Sequence, residues 1–572
     1  MLRSDRWVSG DDEVAMEHRV ALRSAGVAVD RQGGRPVIGI ANSASELNPC
    51  NLPLRDLVGA VRDGIVAGGG LAVEFPVMSL GEDLMKPTAM LYRNLLAIEI
   101  EETLRSYPLD GVVLLANCDK TVPGALMGAA STRLPALVVT GGARPSCQFR
   151  GGRLGSGTAL WRWWDERRAG DLDDAGWQEL EACLAEGRGA CNTMGTASTM
   201  AILSEILGLA VPGTSTIPSG DGRALAGARR AGERVAELVR GGESPFSHCG
   251  AGSFRNALRV LNAIGGSTNA VLHLAALAGR LGVPFDVDDV DRLGRSVPLL
   301  ADVEPSGSGL VQDLDAAGGV PALVGVLGGM LEPEPLLADG RTTGEHAAAA
   351  PLPSSGAIRP VDRPVLEGGA FRVVRGTLAP DGALLKRASA SPELLRHRGR
   401  AVVFNSYEEM RARVDDPGLE VDASSVLVLA GCGPVGAPGM PEWGMIPIPR
   451  KLLEEGVRDM VRVSDARMSG TSYGTVYLHV APEAAVGGPL GLVRDGDLVE
   501  VDADAGRLDL LVDAEELARR ASAWRRPAPA SRRGWLALYQ AHVTQAPKGC
   551  DFDVLEPVEG EPALVEPVVG RS

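Results

Sequence analysis

Apolar and polar positions alternate along residues 35–330 in the manner of an α/β protein. Short apolar runs at residues 36–40, 111–116 and 134–140 predict buried strands. Helical spacing of apolar residues predicts helices at 54–67, 88–104, 196–207 and 269–281. This order of strands and helices predicts a mostly parallel sheet covered by helices.

A different pattern begins after residues 332–364, which are rich in Pro, Ala and Gly and are typical of a linker. Short β-rich segments separated by turns follow at 371–374, 401–404, 425–429, 476–480, 498–501 and 508–512. They predict a smaller, β-barrel-like domain. We therefore expect an α/β domain over residues 1–360 and the β-barrel-like domain over 361–572. A Pro/Ala/Arg stretch and one last helix are expected from about residue 525.

Composition limits the function classes. The chain has 572 residues and a formal net charge of -16, which argues against a nucleic-acid partner because such partners require a basic patch. The first residues lack an apolar signal-peptide core. The longest uncharged apolar stretch, residues 316–331, falls short of the roughly 20 residues that span a membrane. We expect a cytoplasmic protein without a membrane partner, and a small anionic substrate would need metal ions to balance its charge.

Three cysteines, Cys50, Cys118 and Cys191, lie in separate polar contexts marked by Gly or Pro. Scattered cysteines are more often structural thiols, but the similarity of these contexts favours a shared role. A cluster held by three Cys leaves one iron without a protein ligand, an arrangement that admits substrate oxygen. We interpret the others as small buried or surface thiols, because disulfides are rare inside cells. They are Cys147, Cys183, Cys249, Cys432 and Cys550.

Cys118 has the most informative neighbours. It follows the predicted strand 111–116 and is followed directly by Asp119 and Lys120. Open α/β sheets bind ligands where their strands end. The thiol of Cys118, which is a soft ligand, the carboxylate of Asp119, which is a hard ligand, and the amine of Lys120 are therefore expected together at the sheet edge where ligands bind. This indicates an iron–sulfur cluster beside a divalent metal.

Further candidate metal ligands are Glu82 and Glu442, which would join Asp119. Magnesium prefers a few carboxylates together with water and substrate oxygens. A lone loop carboxylate is usually only solvated, so the assignment depends on these residues meeting in space. The charged amine of Lys120 cannot bind a metal, and Lys120 must be deprotonated or modified to take part.

Two glycine-rich segments have weaker signals. Residues 431–436 match the pattern G-x-G-x-x-G, but several prolines follow, so no helix opens there and a Rossmann site is excluded. We expect a loop whose backbone closely approaches a ligand. Ser469 lies in a second loop and is followed by Gly470. Glycine-flanked loop serines are usually structural, and no nucleophile elbow surrounds Ser469.

Two long motifs now become recognisable. Residues 118–129, CDKTVPGALMGA, resemble the signature of the dihydroxy-acid and sugar-acid dehydratase family. Residues 464–470, SDARMSG, resemble its second signature, and the blocks around Cys50, Cys191 and residues 262–269 fit as well. The resemblance covers nearly the whole chain.

The resemblance implies a full set of site residues. A [2Fe–2S] or [4Fe–4S] cluster would be held by Cys50, Cys118 and Cys191. Mg²⁺ would be held by four residues, Glu82, Asp119, Glu442 and a carbamylated Lys120. Ser469 matches the base of the family, which removes water from a 2,3-dihydroxy carboxylate to yield a 2-oxo acid.

The sugar-acid branch of the family fits best. Residues 79–94, 464–467 and 549–553 are similar to aldonate dehydratases, whereas the amino-acid branch typically has Thr-Asp-Gly-Arg at the second signature. One departure is the absence of the His that usually follows the first Cys, because Asn51-Leu52-Pro53-Leu54 stand there. If that His contacts the substrate or the cluster in the family, substrate choice is the property that this departure would change.

We therefore expect a hydro-lyase that acts on an aldonic acid and assembles as a homodimer or homotetramer. One alternative is a dihydroxy-acid dehydratase of branched-chain amino-acid synthesis. A second is a non-enzymatic iron–sulfur redox or sensor protein. The acidic residues argue against the second, because an electron carrier has no use for Glu82 and Glu442.

Overall fold

The structure is a computed structural model that describes residues 2–571. Its helices are α1 (Asp5–Val8), α2 (Glu13–Ser24), α3 (Val58–Ala67), α4 (Arg93–Ser106), α5 (Thr121–Thr132), α6 (Thr158–Ala169), α7 (Asp174–Leu184), α8 (Thr196–Ile206), α9 (Gly222–Gly241), α10 (Pro245–His248), α11 (Ala251–Ala263), α12 (Asn269–Leu281), α13 (Asp288–Gly294), α14 (Val311–Ala316), α15 (Gly319–Leu327), α16 (Thr343–Ala349), α17 (Tyr407–Arg413), α18 (Arg450–Glu454), α19 (Ala514–Ala523) and α20 (Gly534–His542). Its strands are β1 (Val37–Asn42), β2 (Leu71–Pro76), β3 (Gly111–Leu115), β4 (Ala136–Val139), β5 (Cys147–Phe149), β6 (Gly152–Leu154), β7 (Arg372–Val374), β8 (Gly382–Leu385), β9 (Arg396–Phe404), β10 (Val426–Leu429), β11 (Arg462–Ser464), β12 (Val476–Ala481), β13 (Leu498–Asp502) and β14 (Arg507–Leu510).

The N-terminal region is built around a parallel sheet, whose strand order within the described residues is β2-β1-β3-β4. Strands β3 and β4 are buried along their whole length, as expected when helices cover both faces of a sheet. Apolar side chains of α3 and α9 pack on one face, and those of α4 and α5 pack on the other. The prediction of a parallel, helix-covered sheet is confirmed. Strand β2 was not predicted, because the prediction used continuous apolar runs, whereas this edge strand has partly and fully exposed residues in its second half.

The C-terminal region contains a strongly curved sheet. Its strand order within residues 2–571 is β14-β13-β9-β10-β11-β12-β8-β7, with β9 to β12 parallel and the outer strands antiparallel. A bridge between Arg375, just after β7, and Arg507, in β14, brings the two edges together. The sheet is therefore nearly closed around its own apolar core, which confirms the β-barrel-like prediction.

The segment at residues 332–364, predicted as a linker, is more ordered than its composition indicates. It contains α16, whose start is a capping box in which Thr342 and Glu345 bond to each other's backbone. Ile358 is buried and bridges Ala301 of the N-terminal region. The linker interpretation was wrong, because these contacts hold the segment against the N-terminal region.

The last residues of the chain return to the N-terminal region. After α20, Cys550 packs against Met90 and Leu272. The Arg280 side chain of α12 donates to Asp551 with N···O distances of 2.6 and 3.0 Å. The single helix predicted for the tail is therefore present, and the residues after it connect the C-terminal region to the N-terminal region.

Two of the cysteines interpreted as thiols were assigned wrongly. Cys147 of β5 and Cys183 of α7 form a disulfide. The strand and helix pack together around Phe149, Leu172 and Leu180, and this packing brings the two sulfurs into bonding distance. Cys249, Cys432 and Cys550 are buried free thiols, as expected.

Among residues 2–571, no helix has both the length and the apolar character needed to cross a lipid bilayer.

Candidate functional site

One cavity, of about 840 Å³, lies between the two regions of the chain. Its lining contains seven of the eight predicted site residues: Cys50, Cys118, Cys191, Glu82, Asp119, Glu442 and Ser469. The eighth, Lys120, is fully buried behind them and contacts the carboxylates through its amine. Residues separated by more than 400 positions are therefore brought to one place by the fold.

The parallel sheet positions two of the cysteines. Cys50 follows β1 and Cys118 follows β3, and these two strands are hydrogen-bonded neighbours. Asn51 Oδ1 accepts hydrogen bonds from the amides of Asn117 (3.1 Å) and Cys118 (2.8 Å). Asn117 Nδ2 in turn donates to the Cys50 carbonyl oxygen at 2.7 Å. These bonds lock the two loops together, and Asn51, at the point of departure from the family pattern, is part of that lock.

The three thiols line the same cavity, where Cys50 and Cys118 are buried and Cys191 is partly exposed. The neighbouring Cys50 thiol together with burial raises the pKa of Cys118. Burial and the nearby Cys50 raise the pKa of Cys191 to about 12, against the opposing effect of Arg144. Protonated thiols are poor ligands, but a bound metal favours their thiolate form. The donor set suits a soft metal centre.

The predicted carboxylates meet beside the thiols. Oxygens of Glu82, Asp119 and Glu442 lie within 4.8 Å of one another and could hold a metal ion. Lys120 Nζ is 3.2 Å from Glu82 Oε2 and 3.0 Å from Glu442 Oε1, and it also contacts Asp119. The hard donors thus form one group around the lysine.

The charge balance of this group is strongly perturbed. Burial would lower the pKa of Lys120, but the three carboxylates outweigh it and raise that pKa. Burial would likewise raise the pKa of Glu442, yet Lys120 and Arg467 bring it down to about 2. Burial raises the pKa of Glu82. An unmodified Lys120 is therefore a counter-ion to the carboxylates rather than a metal ligand.

Two residues that sequence reasoning missed hold Glu442 in place. Arg467 is fully buried and donates to Glu442 Oε1 (2.9 Å), to the Met440 carbonyl (2.7 Å) and to Thr88 Oγ1 (2.9 Å). Asn269 Nδ2 donates to the same Glu442 oxygen at 2.9 Å. Both lie inside the recognised sequence blocks, which was the available signal, but their partners are remote in sequence.

Ser469 is partly exposed to the cavity. Its Oγ lies 2.9 Å from Thr471 Oγ1, and Asn269 Nδ2 donates to the carbonyl of the preceding Met468 at 3.2 Å. A Cβ on Gly470 would lie 2.6 Å from the Thr196 amide at the start of α8. The glycine therefore permits the close approach of the Ser469 loop to the amino end of a helix, whose amides favour negative charge.

The loop at residues 431–436 approaches two buried carboxylates of the same chain. The Cys432 amide donates to Asp465 at 2.8 Å, and the Val435 and Gly436 amides donate to Glu483 at 2.9 and 2.8 Å. No helix begins within this loop. The rejection of a Rossmann site is therefore supported, but the closely approached groups are internal carboxylates rather than a ligand.

The sequence is similar to known dehydratases over its whole length. Residues 35–346 match the dihydroxy-acid/6-phosphogluconate dehydratase N-terminal model, and residues 356–550 match the C-terminal model of the same family. The chain therefore belongs to the dihydroxy-acid/6-phosphogluconate dehydratase family, as the two motifs indicated.

Individual relatives cover nearly the whole chain. The 6-deoxy-6-sulfo-D-gluconate dehydratase of Pseudomonas putida is 46% identical over 98% of this chain and 97% of that protein. The L-arabonate dehydratase of Azospirillum brasilense is 47% identical, with the same coverage. The dihydroxy-acid dehydratase of Moorella thermoacetica is 36% identical over 96% of this chain and 99% of that protein.

Proposed function

We propose that this protein is a hydro-lyase that removes water from an aldonic acid and yields a 2-keto-3-deoxy sugar acid. The observation that carries the proposal is the meeting of three thiols, three carboxylates and Ser469 in one cavity. The greater identity to the two sugar-acid dehydratases, 46% and 47% against 36% for the dihydroxy-acid dehydratase, supports the sugar-acid substrate.

The donor set fits two cofactors. We propose that Cys50, Cys118 and Cys191 hold an iron–sulfur cluster, of the [2Fe–2S] or [4Fe–4S] type, because thiolates suit iron and three of them leave an open position. We propose that Glu82, Asp119, Glu442 and a carbamylated Lys120 hold Mg²⁺. When bound, the two groups supply Lewis acidity to a departing hydroxyl and to the substrate carboxylate.

In this proposal Ser469 moves the proton. Its Oγ takes the hydrogen from C2 as a proton, the electron pair left at C2 forms the C2=C3 double bond, and the C3–O bond breaks. The departing hydroxide receives the proton from Ser469 and leaves as water, which restores the base, and the resulting enol tautomerises to the 2-oxo acid. A free serine hydroxyl is too weak a base near neutral pH, so its anion needs stabilisation. The Thr471 hydroxyl, at 2.9 Å, and the Thr471 amide, at 3.4 Å, both reach Ser469 Oγ and can help, and the loop packs against the amino end of α8.

The remainder of the cavity can accommodate the rest of a sugar acid. Beyond the carboxylates it is lined by Asp165, Arg411 and Tyr473 together with the aromatic side chains Trp161 and Trp443. Polar groups of this kind can bond to hydroxyls beyond C3, which 2,3-dihydroxyisovalerate lacks. These polar side chains, among otherwise largely apolar neighbours, therefore favour an aldonate over the branched-chain substrate.

A substrate panel tests the reaction. Anaerobically purified protein is incubated with pentonates, hexonates and 2,3-dihydroxyisovalerate, and 2-oxo-acid formation is measured. We expect a higher kcat/KM for an aldonate. The reverse preference would assign the protein to the amino-acid branch, and reversible electron uptake without any dehydration would favour a redox or sensor protein.

A second experiment tests the cofactor ligands. Cys→Ser substitution at Cys50, Cys118 or Cys191 should remove iron and the visible absorbance, whereas Cys249→Ser, at a buried thiol outside the site, should not. Chelation of the divalent metal should abolish turnover without bleaching the cluster. Full iron retention in Cys118→Ser would contradict the cluster assignment.

A further inference from the structure

Arg144 lies at the junction of the two cysteine loops that are farthest apart in sequence. Its backbone amide donates to the Ala190 carbonyl, directly before Cys191, at 2.8 Å. The Gly189 amide donates to the Pro49 carbonyl, directly before Cys50, at 3.2 Å. Through this short chain of bonds, the backbone of Arg144 is held against both loops.

The side chain of Arg144 is half-buried at this junction. Its Nε and Nη1 donate to the carbonyl oxygens of Gly189 and Leu184, both at 3.4 Å. Burial would lower the pKa of Arg144, but the nearby Cys191 and Cys50 sulfurs and Asp83 outweigh it and raise that pKa. The guanidinium therefore lies beside the backbone that leads into Cys191, a proposed cluster ligand.

No carboxylate of residues 2–571 lies within 4.0 Å of the Arg144 guanidinium. Arg188, three residues before Cys191, is different, because it pairs with Asp56 at 2.6 Å and is solvent-exposed. A half-buried cation without an ion-pair partner is costly. A negatively charged group bound by the nearby thiols would balance it.

We propose that Arg144 is a positioning residue that stabilises the cluster held by Cys50, Cys118 and Cys191 and raises its reduction potential. The proposal rests on the proposed function, since it requires the cluster. Three thiolates give the site a net negative charge, and each added electron increases it. Net charge and hydrogen bonds to the sulfurs set the potential of such clusters, so a nearby cation favours the reduced form and slows loss of the cluster.

The test uses Arg144→Gln, which removes the charge, and Arg144→Lys, which keeps it. Arg188→Gln is the matched control. It also removes one positive charge close to Cys191 in sequence, but the partner of Arg188 is the exposed Asp56 rather than a cysteine. Asp83→Asn is the variant of opposite sign, since it removes a negative charge near Cys191 and Arg144. All proteins are reconstituted anaerobically, and midpoint potential and the rate of iron loss to a chelator are measured.

We expect Arg144→Gln to decrease the equilibrium constant of one-electron reduction about tenfold, or about 59 mV, and to lose iron faster than the wild type. Arg144→Lys should restore most of both properties, Asp83→Asn should raise the potential, and Arg188→Gln should match the wild type. If Arg144→Gln does not fold, the effect of local charge is tested by the midpoint potential of Asp83→Asn, which should be higher than that of the wild type.

Two results separate the possible failures. Iron-loaded wild type with an unchanged potential and iron-loss rate in Arg144→Gln, or an unchanged potential in Asp83→Asn, would overturn the role of Arg144 while leaving the proposed function in place. A reconstituted wild type that holds no iron would overturn the cluster itself, and the role of Arg144 with it.

Discussion

The chemistry of the site depends on a few side chains whose ordinary properties are changed by their neighbours. Lys120 is surrounded by carboxylates, and Arg467 and Asn269 both bond to one oxygen of Glu442. Arg467 and Asn269 can hold the Glu442 carboxylate in one orientation before any metal arrives, which reduces the cost of organising the site on binding.

Replacement of Ser469 by Ala tests the proposed base. We expect kcat to fall by roughly 10²–10⁴-fold, while the iron content and substrate binding are unchanged, because among residues 2–571 the hydrogen bonds of the Ser469 hydroxyl go to Thr471. Exchange of the C2 hydrogen with solvent deuterium should also stop. The measurements are steady-state kinetics and NMR of recovered substrate.

Ser472→Ala is the control for that variant, since it removes a hydroxyl from the same loop. It should retain nearly normal kcat. If Ser469→Ala instead keeps kcat and raises only KM, Ser469 binds substrate and the base is another residue.

At the scale of elements, glycines let helices and loops approach closely enough to form the site. In α3, a Cβ on Gly64 would lie 2.0 Å from the Arg229 carbonyl oxygen of α9, and a Cβ on Gly232 of α9 would lie 2.4 Å from the Val61 carbonyl oxygen. These two helices cover the face of the sheet beneath the Cys50 loop. Their contact is therefore backbone against backbone.

Gly64→Ala should destabilise the protein. The new methyl group overlaps backbone that cannot move alone, and overpacking typically costs about 1–3 kcal/mol. Gly59→Ala in the same helix is the control, because no atom lies within 4 Å of the position that a Cβ would take there, and it should be neutral or stabilising by up to about 1 kcal/mol. Urea unfolding measures both, and equal stability of the two variants would contradict the close contact.

Lys386, directly after β8, makes stability depend on pH. It is fully buried, its Nζ has no hydrogen-bond partner within the described residues, and burial lowers its pKa to about 7. The unfolded chain binds a proton up to a pKa near 10.4, so between pH 7 and 10 it binds more protons than the folded protein. The Lys386 contribution to the free energy of unfolding must therefore increase with pH in that window.

Lys386→Met should remove this dependence. The variant should be more stable than the wild type by about 3–4 kcal/mol at pH 7, and this difference should shrink towards pH 10. Urea unfolding midpoints measured at intervals from pH 7 to 10 give the comparison. A constant difference between the two proteins across that range would show that Lys386 does not titrate as its burial predicts.

At the scale of the whole molecule, the cavity exists only where the two regions meet. The N-terminal region supplies the thiols, Glu82, Asp119 and Lys120, and the C-terminal region supplies Glu442 and Ser469. The returning tail adds a second connection through Arg280 and Asp551, which are both buried. Mutations in the tail should therefore affect the stability of the assembled chain.

Asp551→Asn should cost about 2–3 kcal/mol, because it weakens a doubly bonded and buried ion pair. Arg280 would keep its bond to Glu101 at 3.0 Å, which limits the loss. Asp553→Asn is the control, since its pair with His542 is exposed and is worth about 0–1 kcal/mol. Urea unfolding and protease cleavage between α19 and α20 measure the effect, and equal behaviour of the two variants would contradict it.

Local pattern alone determined a large part of this structure. The bounds of α12 agree with the predicted helix at 269–281, and those of β3 differ by one residue from the predicted strand at 111–116. The sequence also placed Cys118, Asp119 and Lys120 together at a strand end, because adjacent residues after a buried strand must share one edge of the sheet. These features depend only on neighbours along the chain.

Long-range contacts decided the rest. The roles of Arg467 and Asn269 at Glu442, the place of Arg144 between the cysteine loops and the Cys147–Cys183 bond all join residues remote in sequence. Strand β11 is too short to have a period of its own and exists because β10 and β12 pair with it. A periodic pattern indicates which face of an element is buried. It does not indicate which element packs against that face, because the partner is determined by tertiary contacts.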